Sequence, residues 1–270
     1  MSKWHRVALI GLGAIGRSLL RHLARDASEN SALAVTVLAR RQPAATEDAP
    51  AGTRIVTTLQ DLLSARPDVV VECAGHDAVT ELALPIVSAG CDLMMISTGA
   101  LVDDALRESI VAAARSSGAQ IHLPAGAIAG IDGLAALRLG GLDSVTYTSI
   151  KPPRAWIGSP AESVVNLQAI DKQTVVFEGS ARKAARMFPR NANLAATVAL
   201  AGIGLDATRV RLVADPLTRE NCGIVEANGA FGSMSVRFQG QSEADNPRSS
   251  ASTALSLARA LLNARQTVVI

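Results

Sequence analysis

The sequence predicts an α/β protein with a doubly wound parallel sheet and a second α/β domain on an antiparallel or mixed sheet. Three observations carry this. An apolar run, Val7-Ala8-Leu9-Ile10, passes directly into Gly11-Leu12-Gly13-Ala14-Ile15-Gly16, a G-x-G-x-x-G motif followed by helix-spaced leucines. Apolar runs of strand length then alternate with helix-length stretches as far as residue 123. Beyond residue 124 the strand candidates are shorter and partly alternating, as strands with one wet face are.

The opening strand, turn and helix form a Rossmann-type dinucleotide fingerprint. Gly11 permits the sharp turn, Gly13 leaves room for a pyrophosphate, and Gly16 allows the helix to approach the sheet. The helix N-terminus, around Ala14 and Ile15, then presents free N–H groups to phosphates. Residues 33–38 read as the second strand, ending at Arg40-Arg41. A carboxylate in this place would hold a ribose 2′-hydroxyl, whereas arginine accommodates a 2′-phosphate. The expected cofactor is therefore NADP or NAD, with NADP favoured.

Residues 42–52 read as a surface loop and 54–56 as a short strand. Thr58 is positioned to cap a helix reaching Ala65. A buried strand over 68–73 runs into Ala74-Gly75-His76, with His76 placed at the strand end as a cofactor contact. A helix over 77–89, a strand over 93–96 and the loop Ser97-Thr98-Gly99-Ala100-Leu101 follow. Asp103 caps the next helix, and 119–123, containing His122, is the last strand of this domain. The strand-end loops define a ligand crevice that includes Ala74, Gly75, His76 and Gly99.

After the turn 124–130, a helix around Leu134 and strands over 145–150, 174–177, 209–214, 223–227 and 233–239 are expected. Residues 191–205 read as a helix, with Asn191 or Asn193 as its cap or as a partner for a nicotinamide carboxamide. An amphipathic helix from about Ser249 to Asn263 closes the chain. The predicted domains are 1–124 joined by the C-terminal helix 246–270, and 125–245, the substrate and dimerisation domain.

With 49% hydrophobic and 19% charged residues, the 270-residue chain has the composition of a compact globular protein. A net charge of +2 gives no electrostatic case for nucleic acid or a membrane surface. The three cysteines lack metal-site spacing, so no metal is expected. Six residues precede the first strand, too few for a secretory signal; a cytoplasmic protein with reduced thiols is expected. Among groups able to move a proton or hold a carboxylate, Lys151 before Pro152-Pro153 and His122 stand out.

The motifs, taken in order, resemble the L-aspartate dehydrogenase family. They are the Gly11–Gly16 fingerprint, Glu72-Cys73-Ala74-Gly75-His76, Ser97-Thr98-Gly99-Ala100-Leu101 and Pro124-Ala125-Gly126-Ala127-Ile128-Ala129-Gly130. They continue with Lys151-Pro152-Pro153-Arg154-Ala155-Trp156, Phe188-Pro189-Arg190-Asn191-Ala192-Asn193, Asp215-Pro216 and Gly229-Ala230-Phe231-Gly232. The resemblance implies oxidation of L-aspartate with NAD or NADP to iminoaspartate, which hydrolyses to oxaloacetate and ammonia. In some members it feeds NAD biosynthesis. It also implies a homodimer, and cofactor contacts at Ala127 and Asn193. The family's catalytic histidine falls at Gly223, in Asn221-Cys222-Gly223. Asn221, Cys222, Gly223 and Lys151 are expected to line the substrate pocket, with Lys151 or His122 as substitute proton carriers. Three readings stay open: an aspartate dehydrogenase using another proton route, a dehydrogenase of a different amino acid or small carboxylate, and a non-catalytic NADP(H)-binding protein.

Overall fold

The computed structural model describes residues 4–26, 33–41, 49–189, 191–230, 232–243 and 246–269. Most of the loop expected at 42–52, together with Arg190 and Phe231 of the family motifs, lies outside the described residues. The chain divides into two compact units, residues 1–126 with 253–270, and residues 127–252.

In the first unit the elements are β1 (Arg6–Ile10), α1 (Ala14–Asp26), β2 (Ala34–Leu38), β3 (Arg54–Val56), α2 (Leu59–Ser64), β4 (Val69–Glu72), α3 (His76–Ser88), β5 (Asp92–Met95), α4 (Asp104–Ser117) and β6 (Ile121–His122). The strands form one sheet in the order β3-β2-β1-β4-β5-β6, and every pairing is parallel. From β1 the chain winds outward to β3 and then returns to β4. The topological switch therefore lies between β1 and β4, where a doubly wound sheet opens its ligand crevice. Val69, Val70 and Val71 are fully buried, as a strand covered on both faces requires.

Two side-chain caps expected from sequence form. Thr58 accepts from Asp61 N at 3.1 Å, and Asp103 accepts from Leu106 N at 3.1 Å. His76 is not at a strand end; it is the first residue of α3, because Gly75 at φ 122° has already turned the chain. The stretch 97–101 is not an open loop but a buried 3-10 turn over Thr98–Val102.

The second unit holds α5 (Ile131–Leu139), β7 (Leu142–Lys151), β8 (Thr174–Ser180), α6 (Ala181–Met187), α7 (Asn193–Ala201), β9 (Arg209–Ala214), β10 (Asn221–Gly229), β11 (Gly232–Gly240), β12 (Ser242–Glu243) and β13 (Asn246–Ser250). Its main sheet has the order β11-β10-β7-β9-β8, with β7 and β9 parallel and the other pairs antiparallel. Tyr147, Ser149, Leu212, Val225 and Ala227 point to one face of this sheet and are all buried.

The segment 246–250, expected to belong to the C-terminal helix, is extended instead and pairs with β12. Pro247 cannot sit inside a helix without losing a hydrogen bond, which fits this extended start. The last helix, α8, spans Ala251–Asn263. Its Leu257, Ala258 and Leu261 complete the buried cluster made by Leu19, Leu20 and Leu23 of α1 on the first sheet.

Candidate functional site

The glycine loop of the first unit is a cradle fixed by close backbone contacts. Gly11 adopts φ +97°, and a Cβ there would meet Ala74 Cα and Cys73 O at 3.0 Å. A Cβ on Gly16 would lie 2.2 Å from the Gly11 carbonyl oxygen, so α1 starts directly on the turn. At Gly13, by contrast, a Cβ would have nothing within 4 Å. Two glycines are thus demanded by the protein's own packing, and the third faces open space. The first intrahelical bond runs from Arg17 N to Gly13 O at 3.0 Å, which leaves the N–H groups of the preceding residues for a ligand.

A cleft of about 830 Å³ opens over this loop. Gly11, Gly13, Arg17, Arg40, Arg41 and Ala74 line it, as do the acidic Asp77 and Glu81 of α3. Arg17 Nε donates to Leu12 O at 3.1 Å, which folds this side chain back onto the loop. Arg40 and Arg41 are exposed at the end of β2. The cradle, the open wall at Gly13 and the arginines suit a dinucleotide, and a 2′-phosphate fits the arginine end. Ala14, Ile15 and Gly16 form the first turn of α1 behind the loop. Gly99 is buried within its 3-10 turn. Cys73 is half-buried and lines the cleft.

One charged residue of this site had no expected role. Glu72, the last residue of β4, is 1% exposed. Its Oε1 accepts from Ala74 N and Gly75 N, both at 2.7 Å, and from Ser97 Oγ at 2.9 Å. Its Oε2 accepts from Ser97 N at 3.1 Å. The only sequence signal was a carboxylate closing an otherwise apolar strand before a glycine turn.

His122 is engaged elsewhere in the first unit. Its ring meets Trp4 edge-on at 4.9 Å between centroids, and its Nε2 lies 3.7 Å from Asp92 Oδ2. Asp92 also accepts from Trp4 Nε1 at 3.0 Å. Since Asp92 begins β5, this cluster belongs to the end of the sheet away from the crevice. His122 thus has Trp4 and Asp92 as neighbours in the first unit, whereas Lys151, the other candidate proton carrier, lies in the second.

In the second unit Gly223 lies on β10 directly across from Ser149 of β7. A Cβ added at Gly223 would stand 2.6 Å from Ile128 Cδ1 and 3.5 Å from the Tyr147 hydroxyl oxygen. Ile128 therefore fills the space where a side chain at 223 would begin. Tyr147, Ser149 and Lys151 alternate along β7 onto this same face. Tyr147 is held well above its ordinary phenol range by burial, partly offset by its hydrogen bond to Ser149.

Lys151 closes the row, with its Nζ 5.6 Å from the centre of the Trp156 ring. Burial lowers its pKa to about 8. Trp156 is itself fully buried and anchored by Nε1 donating to Val213 O at 3.2 Å. The backbone at Lys151 is tied down as well, because its carbonyl accepts from Asp215 N at 2.9 Å.

Cys222 does not share the Gly223 face. Strand alternation turns it to the other side of the sheet, where it is buried with Ile150 and Val213. Asn221 is half-buried as the first residue of β10. Neither asparagine caps α7. The cap is Ala192, Asn191 Nδ2 donates to Ala155 O at 3.2 Å, and Asn193 is the first helical residue. Ala127 is half-buried in the coil just before Ile128. Among the described residues, no three His, Cys, Asp or Glu side chains come together as a metal site. Nor is any described helix long and apolar enough to cross a membrane.

Comparison with known proteins covers both units. Residues 132–264 match the family model described as aspartate dehydrogenase, C-terminal. Residues 11–124 match that of the homoserine dehydrogenase NAD-binding domain. The chain is 46% identical over 267 residues to the L-aspartate dehydrogenase of Cupriavidus necator, covering 98% of this chain and 99% of that one. It is 44% identical to the L-aspartate dehydrogenase of Pseudomonas aeruginosa, covering 95% and 96%. The crystal structure of aspartate dehydrogenase from Thermotoga maritima superposes with a TM-score of 0.78 at 29% identity, covering 98% and 99%.

Proposed function

Because this chain belongs to the aspartate dehydrogenase family, and so is an NAD(P)-dependent oxidoreductase, we propose that it oxidises L-aspartate. The observation that carries this reading is near full-length identity of 46% to an L-aspartate dehydrogenase, spanning both the nucleotide cradle and the second unit. The products are oxaloacetate, ammonia and the reduced cofactor, formed through iminoaspartate. NADP is the preferred cofactor and NAD an alternative, a reading supported by Arg40 and Arg41 at the cleft. Cofactor contacts extend to Ala74, Gly75, His76 and Gly99, and in the second unit to Ala127 and Asn193.

When bound, the nicotinamide would supply the acceptor for a hydride from the substrate Cα. The chain's own part is to hold the substrate and to take the proton lost from its amino group. With glycine at 223, that proton goes to Lys151. A lysine amine near pKa 8 is partly neutral at physiological pH and can act as a base. Its place on the Gly223 face, against a rigid Trp156, supports this role. The substrate pocket includes Asn221 and Gly223.

A second reading is favoured by one observation, Ile128 filling the space beside Gly223. This makes the corner apolar, and a dehydrogenase of a different amino acid or small carboxylate would use it so. A homodimer is also proposed, supported by the groove of about 370 Å³ on the other sheet face. There Ile150, Val213 and Ile224 lie beside Arg211, Arg237 and Glu226, a self-complementary mixture.

Incubation of the purified protein with L-aspartate tests the function. Oxaloacetate, ammonium and NADPH are expected in equal amounts, with a higher kcat/KM for NADP than for NAD. Turnover of another amino acid, with none of L-aspartate, would replace the first reading by the second. NADPH binding without turnover of any substrate would leave only a nucleotide-binding protein.

A further inference from the structure

We propose that Glu72 sets the preference of the nucleotide site for the oxidised over the reduced cofactor. This rests on the dinucleotide reading of the first unit and adds a role for a residue outside the glycine fingerprint. The carboxylate is buried, and its four contacts are all donated to it by three backbone N–H groups and one hydroxyl. None of these donors is a cation, so the site retains a net negative charge enclosed by protein. All four partners are donors, the set that the two oxygens of a carboxylate accept.

The position of Glu72 in the sheet gives that charge a direction. Arg40 and Arg41 mark the adenosine side, at the end of β2. The phosphates belong over the Gly11–Gly16 loop, at the end of β1. In the order β2-β1-β4-β5 the remaining, nicotinamide half runs past the ends of β4 and β5. Glu72 ends β4, and its oxygens bind the turn after β4 at Ala74 and Gly75 to the turn after β5 at Ser97. It is therefore both a positioning residue for these two turns and a fixed charge beside them.

The nicotinamide ring carries a positive charge when oxidised and none when reduced. A buried carboxylate nearby attracts only the first form, and in protein surroundings one such charge is worth about tenfold in relative affinity. The effect favours occupation of the site by the oxidised cofactor, the form that amine oxidation consumes.

Dissociation constants of NADP+ and NADPH, measured separately by fluorescence titration and competition, test this without turnover. In Glu72→Gln the two turns lose a partner, so both affinities fall. NADP+ is expected to lose about tenfold more than NADPH. Equal losses would reduce Glu72 to a structural tie and overturn the proposal. Ser97→Ala is the independent variant, since it keeps the charge and removes one donor. Its affinity ratio should stay at the wild-type value or move toward NADP+, and a shift toward NADPH would overturn the proposal. Failure of the wild-type protein to bind either form would instead overturn the dinucleotide reading, and this inference with it.

Discussion

Replacement of Lys151 by methionine is expected to lower kcat/KM for L-aspartate by about 10²–10⁴-fold, the usual contribution of a positioned base. NADPH affinity should stay within about twofold, because the role proposed for Lys151 is toward the substrate and not toward a phosphate. Methionine keeps a long apolar stem against Trp156, so lost packing cannot account for a fall of that size.

The pH dependence separates a base from a mere substrate anchor. With the folded pKa lowered from 10.5 to about 8, the neutral amine accumulates as pH rises through 8. Wild-type kcat/KM should climb up to that point and level above it; an anchoring ammonium would give the opposite slope. Stability carries the same sign. Between about pH 8 and 10.5 the unfolded chain holds a proton that the folded chain lacks, so stability from this group rises with pH. That rise should be absent from the methionine variant. Activity flat across pH 7–9 would remove Lys151 from the proton route.

Gly16→Ala is expected to abolish measurable NADP(H) binding and to destabilise the protein by about 1–3 kcal/mol. The added Cβ would stand 2.2 Å from a backbone carbonyl oxygen, which has no side chain to swing aside. Either α1 lifts from β1 or the Gly11 turn opens, and both disturb the N–H groups that face the phosphates. Gly13→Ala is the matched control, because its Cβ meets nothing within 4 Å. Its thermal midpoint should stay close to wild type while its cofactor affinity falls, since the open space is reserved for the ligand. A Gly13→Ala protein that binds NADP(H) normally would contradict the placement of the phosphates over this loop.

The contrast between these two glycines shows what the sequence makes legible. The fingerprint is local: strand, turn and helix lie within about twenty residues, and the spacing alone assigns each glycine its task. The mixed second sheet was also readable in outline, because alternating runs mark strands with one wet face. Element detail was lost where signals are short. Ala181–Met187 spans seven residues and gives too few turns for a helical period.

Side-chain partners across long separations were not legible. Glu72 draws two of its four donors from Ser97, 25 residues away, and nothing local announces that meeting. His122 gains Asp92 and Trp4 as neighbours only once the sheet order is known. Asn191 looked like a helix cap but reaches 36 residues back to Ala155. Cys222 and Gly223 are adjacent in sequence, yet strand alternation separates them by the thickness of the sheet, so only the glycine faces Tyr147.

In the proposed mechanism the site works with glycine at 223 and does not await a histidine. The initial rate of NADPH formation from L-aspartate, compared between wild type and Gly223→His, tests it most directly. Wild type is expected to turn over, and the histidine variant to be no faster, because Ile128 occupies the new side chain's first position and the proposed proton acceptor is Lys151. A gain of about tenfold or more in the variant would overturn this mechanism and mark Gly223 as a lost catalytic group.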